Sequence, residues 1–281
     1  MLSYRHAYHA GNHADVLKHL VLVAIGRHLG QKPAPFWIVD THAGAGRYAL
    51  DAEHARKLGE WRDGIGRLWS LPDLPALAAD YVDLVRTLNP DGQLHHYPGS
   101  PWLARQLLRD ADRLRLFEMH SSDLRLLQAC FAGAGRAVSI SGGDGFAGLK
   151  AILPPPPRRG LVLIDPSYET RTDYAAVPRA LQESLKRFAT GTYAVWYPLL
   201  AKPEARQLPE RLKGTGAAEW LNVTLEVKAP ARDGFGMHGS GMFVVNPPWT
   251  LEKALHETLP ALAGLLAQGE GARWNLESQS A

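Results

Sequence analysis

The chain has 281 residues, of which 46% are hydrophobic and 21% charged, a composition typical of one large or two modest globular domains. The formal net charge of +3 permits a polyanionic partner without requiring one. No apolar run approaches the roughly 20 residues that a membrane helix needs, and the only cysteine, Cys130, excludes an intrachain disulfide and a thiolate zinc cluster.

The N-terminal segment MLSYRHAYHAGNHADVLKH is polar and rich in histidine, so it is not typical of a secretory signal. We therefore expect a cytoplasmic protein with a reduced thiol. His6, His9 and His13 would share one face of a helix near Asp15, and three imidazoles could bind zinc. Gly11 interrupts that helix and the chain has no HExxH pattern. This favours a polar segment packed over a binding pocket, with no metal.

Seven strands are predicted from β-branched and aromatic runs: PFWIVD (35–40), LRLFEM (114–119), AVSIS (137–141), LVLID (161–165), YAVWY (193–197), LNVTLEV (221–227) and MFVVN (242–246). The first five alternate with helical segments, which indicates parallel βα units with helices on both faces. The last two flank a glycine-rich loop and are predicted to form an antiparallel hairpin at one sheet edge. The tail GEGARWNLESQSA is predicted to be frayed.

The connection between the first two strands is too long for a single helix. Residues 51–95 show apolar positions at helical spacing, and we interpret them as an inserted helical subdomain. Residues 1–50 and 96–281 would then form the main domain. SPWLARQLLRDADRL (100–114) is predicted to be the helix before the second strand, with Ser100 as its N-cap and Pro101 at its first position.

In open parallel sheets, ligands bind beyond the carboxyl ends of the strands. DTHAGAGRYAL follows the first strand, and its glycines Gly44 and Gly46 would let the backbone approach a ligand closely. Gly44 to Ala49 also fit G-x-G-x-x-A, but a dinucleotide site needs a strand-end acid about 20 residues later, so we discount NAD. The next such acid is Glu118, which could accept both ribose hydroxyls of a nucleoside, and Asp144 in SGGDGF could meet an adenine edge. A plain glycine turn, a solvated acid and an Asp-Gly turn are the structural alternatives.

The fourth predicted strand ends in DPSY, where Asp165 follows a buried apolar run. Pro166 removes an amide donor and stiffens the loop, and Tyr168 can offer a flat face. These groups could hold a planar base whose exocyclic amine donates to the Asp165 carboxylate and the Pro166 carbonyl. An Asp-Pro-Ser turn alone would explain the turn residues but not the acid and the aromatic.

These features resemble S-adenosylmethionine-dependent methyltransferases of the adenine-N6 type, whose Rossmann-like sheet has seven strands with the last one antiparallel. The N-terminal block, together with HAGAGRY, YPGSP, SGGDGF, DPSYE and NPPW, resembles more closely the RlmJ family of bacterial 23S ribosomal RNA adenine-N6 methyltransferases. The similarity runs along most of the chain.

The resemblance implies S-adenosyl-L-methionine as cofactor and 23S ribosomal RNA, naked or in an early-assembly form, as partner. It implies a cofactor pocket lined by His19, His42, Ser100, Glu118, Asp144, Gly145 and Asp165. It implies a substrate site formed by Tyr4, Lys18, Pro166 and Tyr168. Within these sets, Glu118 would hold the ribose, Asp144 with Gly145 the adenine, and Asp165 would be the catalytic carboxylate.

One position departs from the superfamily pattern, which usually reads Asp-Pro-Pro-Tyr. Ser167 replaces the second proline, which keeps the Asp165 carboxylate and the Pro166 carbonyl and changes the stiffness of the loop. NPPW, Asn246 to Trp249, also matches the motif but follows the seventh strand. We interpret NPPW as structural, with Trp249 packed under the sheet edge.

RNA contacts are predicted in the loop KAPARDGFGMHG at Lys228, Arg232 and His238, and at the arginines of the inserted segment. No apolar heptad or exposed stripe is evident, so we expect a monomer. The motifs alone also fit another RNA, a DNA adenine or a protein amine as the methyl acceptor. A non-catalytic RNA-binding module is a further alternative, and it would lack a cofactor pocket.

Overall fold

The structure, a computed structural model, describes residues 5–280. It confirms the predicted α/β class and contains all seven predicted strands. In chain order the elements are α1 (His13–Gly30), β1 (Trp37–Asp40), β2 (Arg47–Ala49), α2 (Glu53–Leu58), α3 (Ile65–Trp69), α4 (Ala76–Arg86), β3 (His96–Pro98), α5 (Ser100–Leu107), β4 (Arg113–Glu118), α6 (Ser121–Cys130), β5 (Val138–Gly142), α7 (Gly145–Ile152), β6 (Gly160–Ile164), α8 (Arg171–Arg187), β7 (Thr192–Leu199), α9 (Pro203–Lys213), β8 (Trp220–Glu226), β9 (Gly239–Val245), α10 (Trp249–Leu265) and β10 (Arg273–Gln279).

The main sheet has the strand order β10-β8-β9-β7-β6-β1-β4-β5. Strands β5, β4, β1, β6 and β7 pair in parallel, as predicted from their alternation with helices. Strand β9 lies between β7 and β8 and is antiparallel to both, which confirms the predicted antiparallel pair. The carboxyl ends of the parallel strands therefore share one edge of the sheet.

The predicted strand count and sheet edge were wrong, because an eighth strand covers the expected edge. The tail is not frayed: Arg273–Gln279 forms β10 and pairs along the whole of β8. Trp274 and Leu276 pack against the core on one face, while Arg273 donates two hydrogen bonds to Glu226, at 2.7 and 2.9 Å. Only two apolar residues mark this strand, so its alternation was hidden among polar residues.

Helices cover both faces of the sheet. Helix α1 packs on one face and is buried on nearly all sides, whereas α8 and α9 cover the other face. Asn12 caps α1, and its side-chain oxygen accepts hydrogen bonds from the backbone of Ala14 and Asp15, each at 3.0 Å. Strand β6 is buried throughout, as a central parallel strand must be.

The segment 51–95 is helical and contains α2, α3 and α4, while its classification as a separate subdomain stays a prediction. Tyr81 and Val82 of α4 belong to the same hydrophobic core as α1. A two-stranded sheet of β2 and β3 flanks this segment and was missed, because strands of three residues show no recognisable period. Ser100 is not the N-cap of α5: Gly99 takes that position and Ser100 is the first helical residue.

Within residues 5–280, no helix has both the length and the apolar character needed to cross a membrane.

Candidate active site

A cavity of about 330 Å³ opens at the carboxyl ends of the parallel strands, where the sequence predicted a site. The loops after β1, β4, β5 and β6 line it, together with the end of β7 and one side of α1. The residues predicted for the cofactor and substrate sites that fall within the described range all line this cavity: Lys18, His19, His42, Ser100, Glu118, Asp144, Gly145, Asp165, Pro166 and Tyr168. The remaining one, Tyr4, lies outside the described residues.

The loop after β1 folds tightly against the neighbouring strand ends. Gly44 has φ +62°, and its amide donates to Glu118 Oε2 at 2.7 Å. The second oxygen, Oε1, accepts from the amide of His120 at 2.7 Å. Burial raises the pKa of Glu118, although these two backbone hydrogen bonds act to lower it. Each carboxylate oxygen has about two acceptor positions, so Glu118 keeps acceptor capacity toward the cavity.

The loop after β5 approaches the first loop closely at Gly145. A Cβ atom at Gly145 would lie 2.1 Å from the carbonyl oxygen of Thr41, so only glycine fits there. Asp144 caps α7 by accepting from the amide of Phe146 at 2.8 Å, and the Phe146 ring contacts His42 edge-on. Together these residues form a cradle with an exposed acid and an aromatic edge.

Asp165 lies beside a buried lysine. Lys18 Nζ donates to Asp165 Oδ2 at 2.6 Å and pairs with Asp15 Oδ1 at 2.8 Å. Burial alone would lower the pKa of Lys18, but Asp15 and Asp165 outweigh it and hold that pKa well above its usual value. Asp165 Oδ1 accepts no hydrogen bond from residues 5–280, and Asp165 lines the cavity. A charged lysine therefore bridges two carboxylates at the cavity wall.

The carboxylate of Asp15 organises the N-terminal segment above this pair. Asp15 is buried and its Oδ2 accepts from the Gly11 amide at 2.8 Å and lies 2.9 Å from His6 Nε2. Burial would raise the pKa of Asp15, but His6 and Lys18 lower it well below its usual value. His6 and His9 also line the cavity. The expectation that the N-terminal segment packs over the pocket fits this arrangement.

A second buried acid, Asp40, was missed by sequence reasoning. Its Oδ2 accepts from the Ser100 hydroxyl at 2.6 Å, and its Oδ1 accepts from the His42 amide at 3.1 Å. Burial raises its pKa to about 6, against the lowering effect of these two hydrogen bonds. Its position at the last residue of β1, before HAGAG, was the available signal. Asp40 thus ties α5 to the loop after β1.

His19 lies under the cavity on α1. Burial lowers its pKa to about 3, so the imidazole is neutral. Its Nδ1 lies 2.7 Å from the Tyr97 hydroxyl, which in turn lies 2.8 Å from the Tyr81 hydroxyl. Its Nε2 is buried and has no hydrogen-bond partner among residues 5–280.

The aromatic wall beyond Asp165 differs from the simple flat face expected. Tyr168 is 3% exposed, and its hydroxyl donates to the carbonyl of Trp196 at 2.7 Å. Its φ of +53° is unusual for a tyrosine and turns the chain sharply after Pro166. The half-buried Trp196 also lines the cavity, and sequence reasoning missed it because it lies within a strand rather than after one. Stacking of a base on Tyr168 stays a prediction.

NPPW lies far from the cavity. Strand β9 runs from Gly239, beside Leu199 at the cavity edge, to Val245, beside Tyr193 at the opposite edge. Its six residue steps span about 20 Å at the usual rise of a strand. Asn246 donates to the carbonyls of Ala189 and Gly191 at 2.8 and 2.7 Å, a structural role.

The predicted position of Trp249, in the same motif, was wrong. It is 82% exposed instead of packed under the sheet, since it begins α10 on the outer surface.

No group of three or more histidine, cysteine, aspartate or glutamate side chains in residues 5–280 could hold a metal ion. His6 and His9 instead pair with different acids, Asp15 and Glu60.

A family model described as "Ribosomal RNA large subunit methyltransferase D, RlmJ" matches residues 33–277. Two curated relatives are both named "Ribosomal RNA large subunit methyltransferase J". The relative from Escherichia coli (strain K12) is 50% identical over 272 residues, 96% of each chain. The relative from Haemophilus influenzae (strain ATCC 51907 / DSM 11121 / KW20 / Rd) is 47% identical over 278 residues, 99% of this chain and 98% of the other. A crystal structure of a Legionella pneumophila protein matches with a TM-score of 0.89 and 33% identity, covering 97% of this chain and 99% of that one.

Proposed function

We propose that the protein methylates N6 of one adenine in 23S ribosomal RNA. The chain belongs to the RlmJ family of large-subunit ribosomal RNA methyltransferases. The observation that carries the N6 assignment is the position of Asp165. Its carboxylate and the carbonyl of the following Pro166 are two acceptors at the rim of one cavity, and an exocyclic amine has two hydrogens to donate.

The residues on the β1, β4 and β5 side of the cavity fit S-adenosyl-L-methionine. Glu118 keeps acceptor capacity for ribose hydroxyls, and the cradle at Gly145 and Asp144 suits an adenine. The buried, unpartnered Nε2 of His19 offers a further polar contact. When bound, S-adenosyl-L-methionine supplies an electrophilic sulfonium methyl group, so the protein contributes mainly position and electrostatics.

The target adenine must leave its base stack in the RNA to enter the cavity and reach Asp165. The Asp165 carboxylate and the Pro166 carbonyl accept the two hydrogens of its N6 amine, which fixes the plane of the base and directs the nitrogen lone pair. Lys18 holds Oδ2 of Asp165 at 2.6 Å and so leaves Oδ1 to accept from the amine. Lys18 is a positioning residue, since it acts through Asp165.

Asp165 need not deprotonate the neutral amine in advance, because a carboxylate is too weak a base to remove a proton from a neutral exocyclic amine. Methyl transfer would break the bond between the methyl group and the sulfonium sulfur, which would leave as a neutral thioether, and would form the N–C bond. Positive charge would then develop on N6 and make its proton acidic. Asp165 accepts that proton at Oδ1, and the Lys18 ammonium stays charged beside it.

Basic side chains follow the strand ends on the Asp165 side of the cavity. Arg171 begins α8 after β6, Lys202 precedes α9 after β7, and Arg232 lies in the loop after β8. All three are exposed, whereas Asp123, Glu118 and Asp144 line the opposite side. RNA phosphates would therefore run along the Asp165 side, and binding should weaken as salt rises.

The direct test is methylation of 23S ribosomal RNA from a strain that lacks the enzyme, followed by mapping of the modified nucleoside. The proposal expects one N6-methyladenosine per RNA. Methyl transfer to DNA, to another RNA or to a protein in preference to 23S ribosomal RNA would refute it. Comparing methylation of the naked RNA with methylation of the same RNA assembled into a large-subunit particle shows which form is the substrate. A substrate of this kind also supports a cytoplasmic location.

A further inference from the structure

The loop between β8 and β9 displays an aromatic side chain at the cavity rim. Phe235 is 81% exposed, the highest exposure among the large apolar side chains beside this cavity. It lies between Gly234 and Gly236, which have φ +73° and +84°. The exposed face of this ring is therefore available to a partner that binds at the cavity.

The loop that carries Phe235 is fixed at its base. The Val227 amide donates to the His238 carbonyl at 2.9 Å, and the His238 amide donates to the Leu199 carbonyl at 3.2 Å. Farther out, the Ala229 amide donates to the Glu270 carbonyl at 2.8 Å. At the tip, the Phe235 amide donates to Asp233 Oδ1 at 3.0 Å. The ring is therefore presented from an organised turn.

Phe235 is close to the site of chemistry. Met237, two residues later, lines the cavity together with Trp196 and Pro198. Two residue steps limit the separation of the Phe235 and Met237 Cα atoms to about 7.6 Å. The exposed Arg232 lies on the same loop, and a Cβ at Gly234 would be 3.3 Å from Ala201, next to Lys202. An apolar ring flanked by cations suits a nucleic-acid strand, in which bases alternate with phosphates.

We infer that Phe235 stacks on the nucleobase next to the target adenine and fills the place that this adenine leaves when it enters the cavity. The inference rests on the proposed function, since it assumes an RNA substrate. Removing a base from its stack is unfavourable, and a ring that replaces the lost neighbour offsets that cost. Because every base has a flat face, Phe235 would promote extrusion without selecting a sequence.

The test compares Phe235→Ala and Phe235→Trp on an RNA hairpin that contains the mapped adenine. Alanine should lower kcat/KM for RNA by about 5- to 150-fold, the range expected for one lost base–aromatic stack, and tryptophan should restore it. S-adenosyl-L-methionine binding, measured by calorimetry, should be unchanged in both. Trp249→Ala is the matched control, because Trp249 is equally exposed, 82%, and lies at the opposite edge of the sheet.

A substrate change separates stacking from a structural role. Hairpins with an abasic site on the 5′ or the 3′ side of the target adenine remove the proposed stacking partner. One of them should slow the wild type to the level of Phe235→Ala and leave that variant unaffected. Equal kcat/KM for wild type and Phe235→Ala, or equal slowing of both by each abasic site, would overturn the inference. A wild type that methylates no RNA would instead refute the proposed function.

Discussion

Replacing Lys18 by methionine tests the electrostatics of the site most fully. The change keeps the apolar stem of Lys18 but removes the charge between Asp15 and Asp165, which lie 2.8 and 2.6 Å from Nζ. Both carboxylates are then left without their cation in a site where Lys18 was 4% exposed. Removing one partner of a buried ion pair costs about 3–5 kcal/mol, and we expect that loss in the free energy of unfolding measured with urea.

Lys18→Met should also impair catalysis, because Lys18 holds one oxygen of Asp165. Without the ammonium, Asp165 Oδ2 loses the hydrogen bond from Lys18 Nζ, so the carboxylate is no longer fixed in position for the amine. A lost hydrogen bond to a charged group is worth about 1.5–3 kcal/mol, so single-turnover methylation should fall by roughly 10- to 150-fold at neutral pH.

Arg27→Met is the matched control on the same helix. The Arg27–Asp80 pair, at 2.6 Å, lies on the surface with the Arg27 side chain 51% exposed. Exposed ion pairs contribute about 0–1 kcal/mol, so this variant should retain nearly full stability and activity. If Lys18→Met had the same free energy of unfolding and the same methylation rate as Arg27→Met, the reasoning about the buried lysine would be wrong.

Three further predictions concern Glu118, Asp40 and β10. Glu118→Gln places an amide nitrogen against the backbone N–H of Gly44 or His120, where two donors then face each other. Calorimetry should show that the variant binds S-adenosyl-L-methionine about 10- to 100-fold more weakly. Unchanged affinity would mean that Glu118 is not part of the cofactor site. The pKa of Asp40 is raised to about 6 in the folded state, so the folded protein holds its proton longer than the unfolded chain and stability falls as pH rises. Between pH 5 and 7 wild type should lose about 1 kcal/mol more than Asp40→Asn, and parallel curves would contradict this. Truncation after Glu270 should cost about 2 kcal/mol, because Trp274 and Leu276 leave the core, and an unchanged thermal midpoint would mean that β10 is dispensable.

The sequence was most informative where burial and chemistry coincide. Apolar runs such as LVLID predicted the parallel strands because a strand covered on both faces must be apolar throughout. Since parallel strands end at one edge, the polar residues after them could be placed in one cavity without knowledge of side-chain positions. Part of the site came from the family resemblance instead, including His19, Ser100 and Lys18, which do not follow a predicted strand.

The features that sequence reasoning missed depend on tertiary contacts. Asp40 looked like an ordinary strand-end residue, and its raised pKa arises from burial under α5, which no local pattern encodes. Strand β10 exists because β8 offers it a free edge, and Trp249 is exposed because α10 turns outward at that residue. Lys18 could be assigned to the substrate site, but its contact with Asp165 spans 147 residues of chain.

The most direct test of the mechanism is single-turnover methylation of the RNA hairpin by Asp165→Asn, with S-adenosyl-L-methionine binding measured on the same preparation. Asparagine preserves shape and removes the charge that accepts the amine proton, so we predict unchanged cofactor affinity and a rate at least about 100-fold lower at every pH. A variant that binds the cofactor and methylates adenine at the wild-type rate would contradict the claim that Asp165 receives the N6 proton.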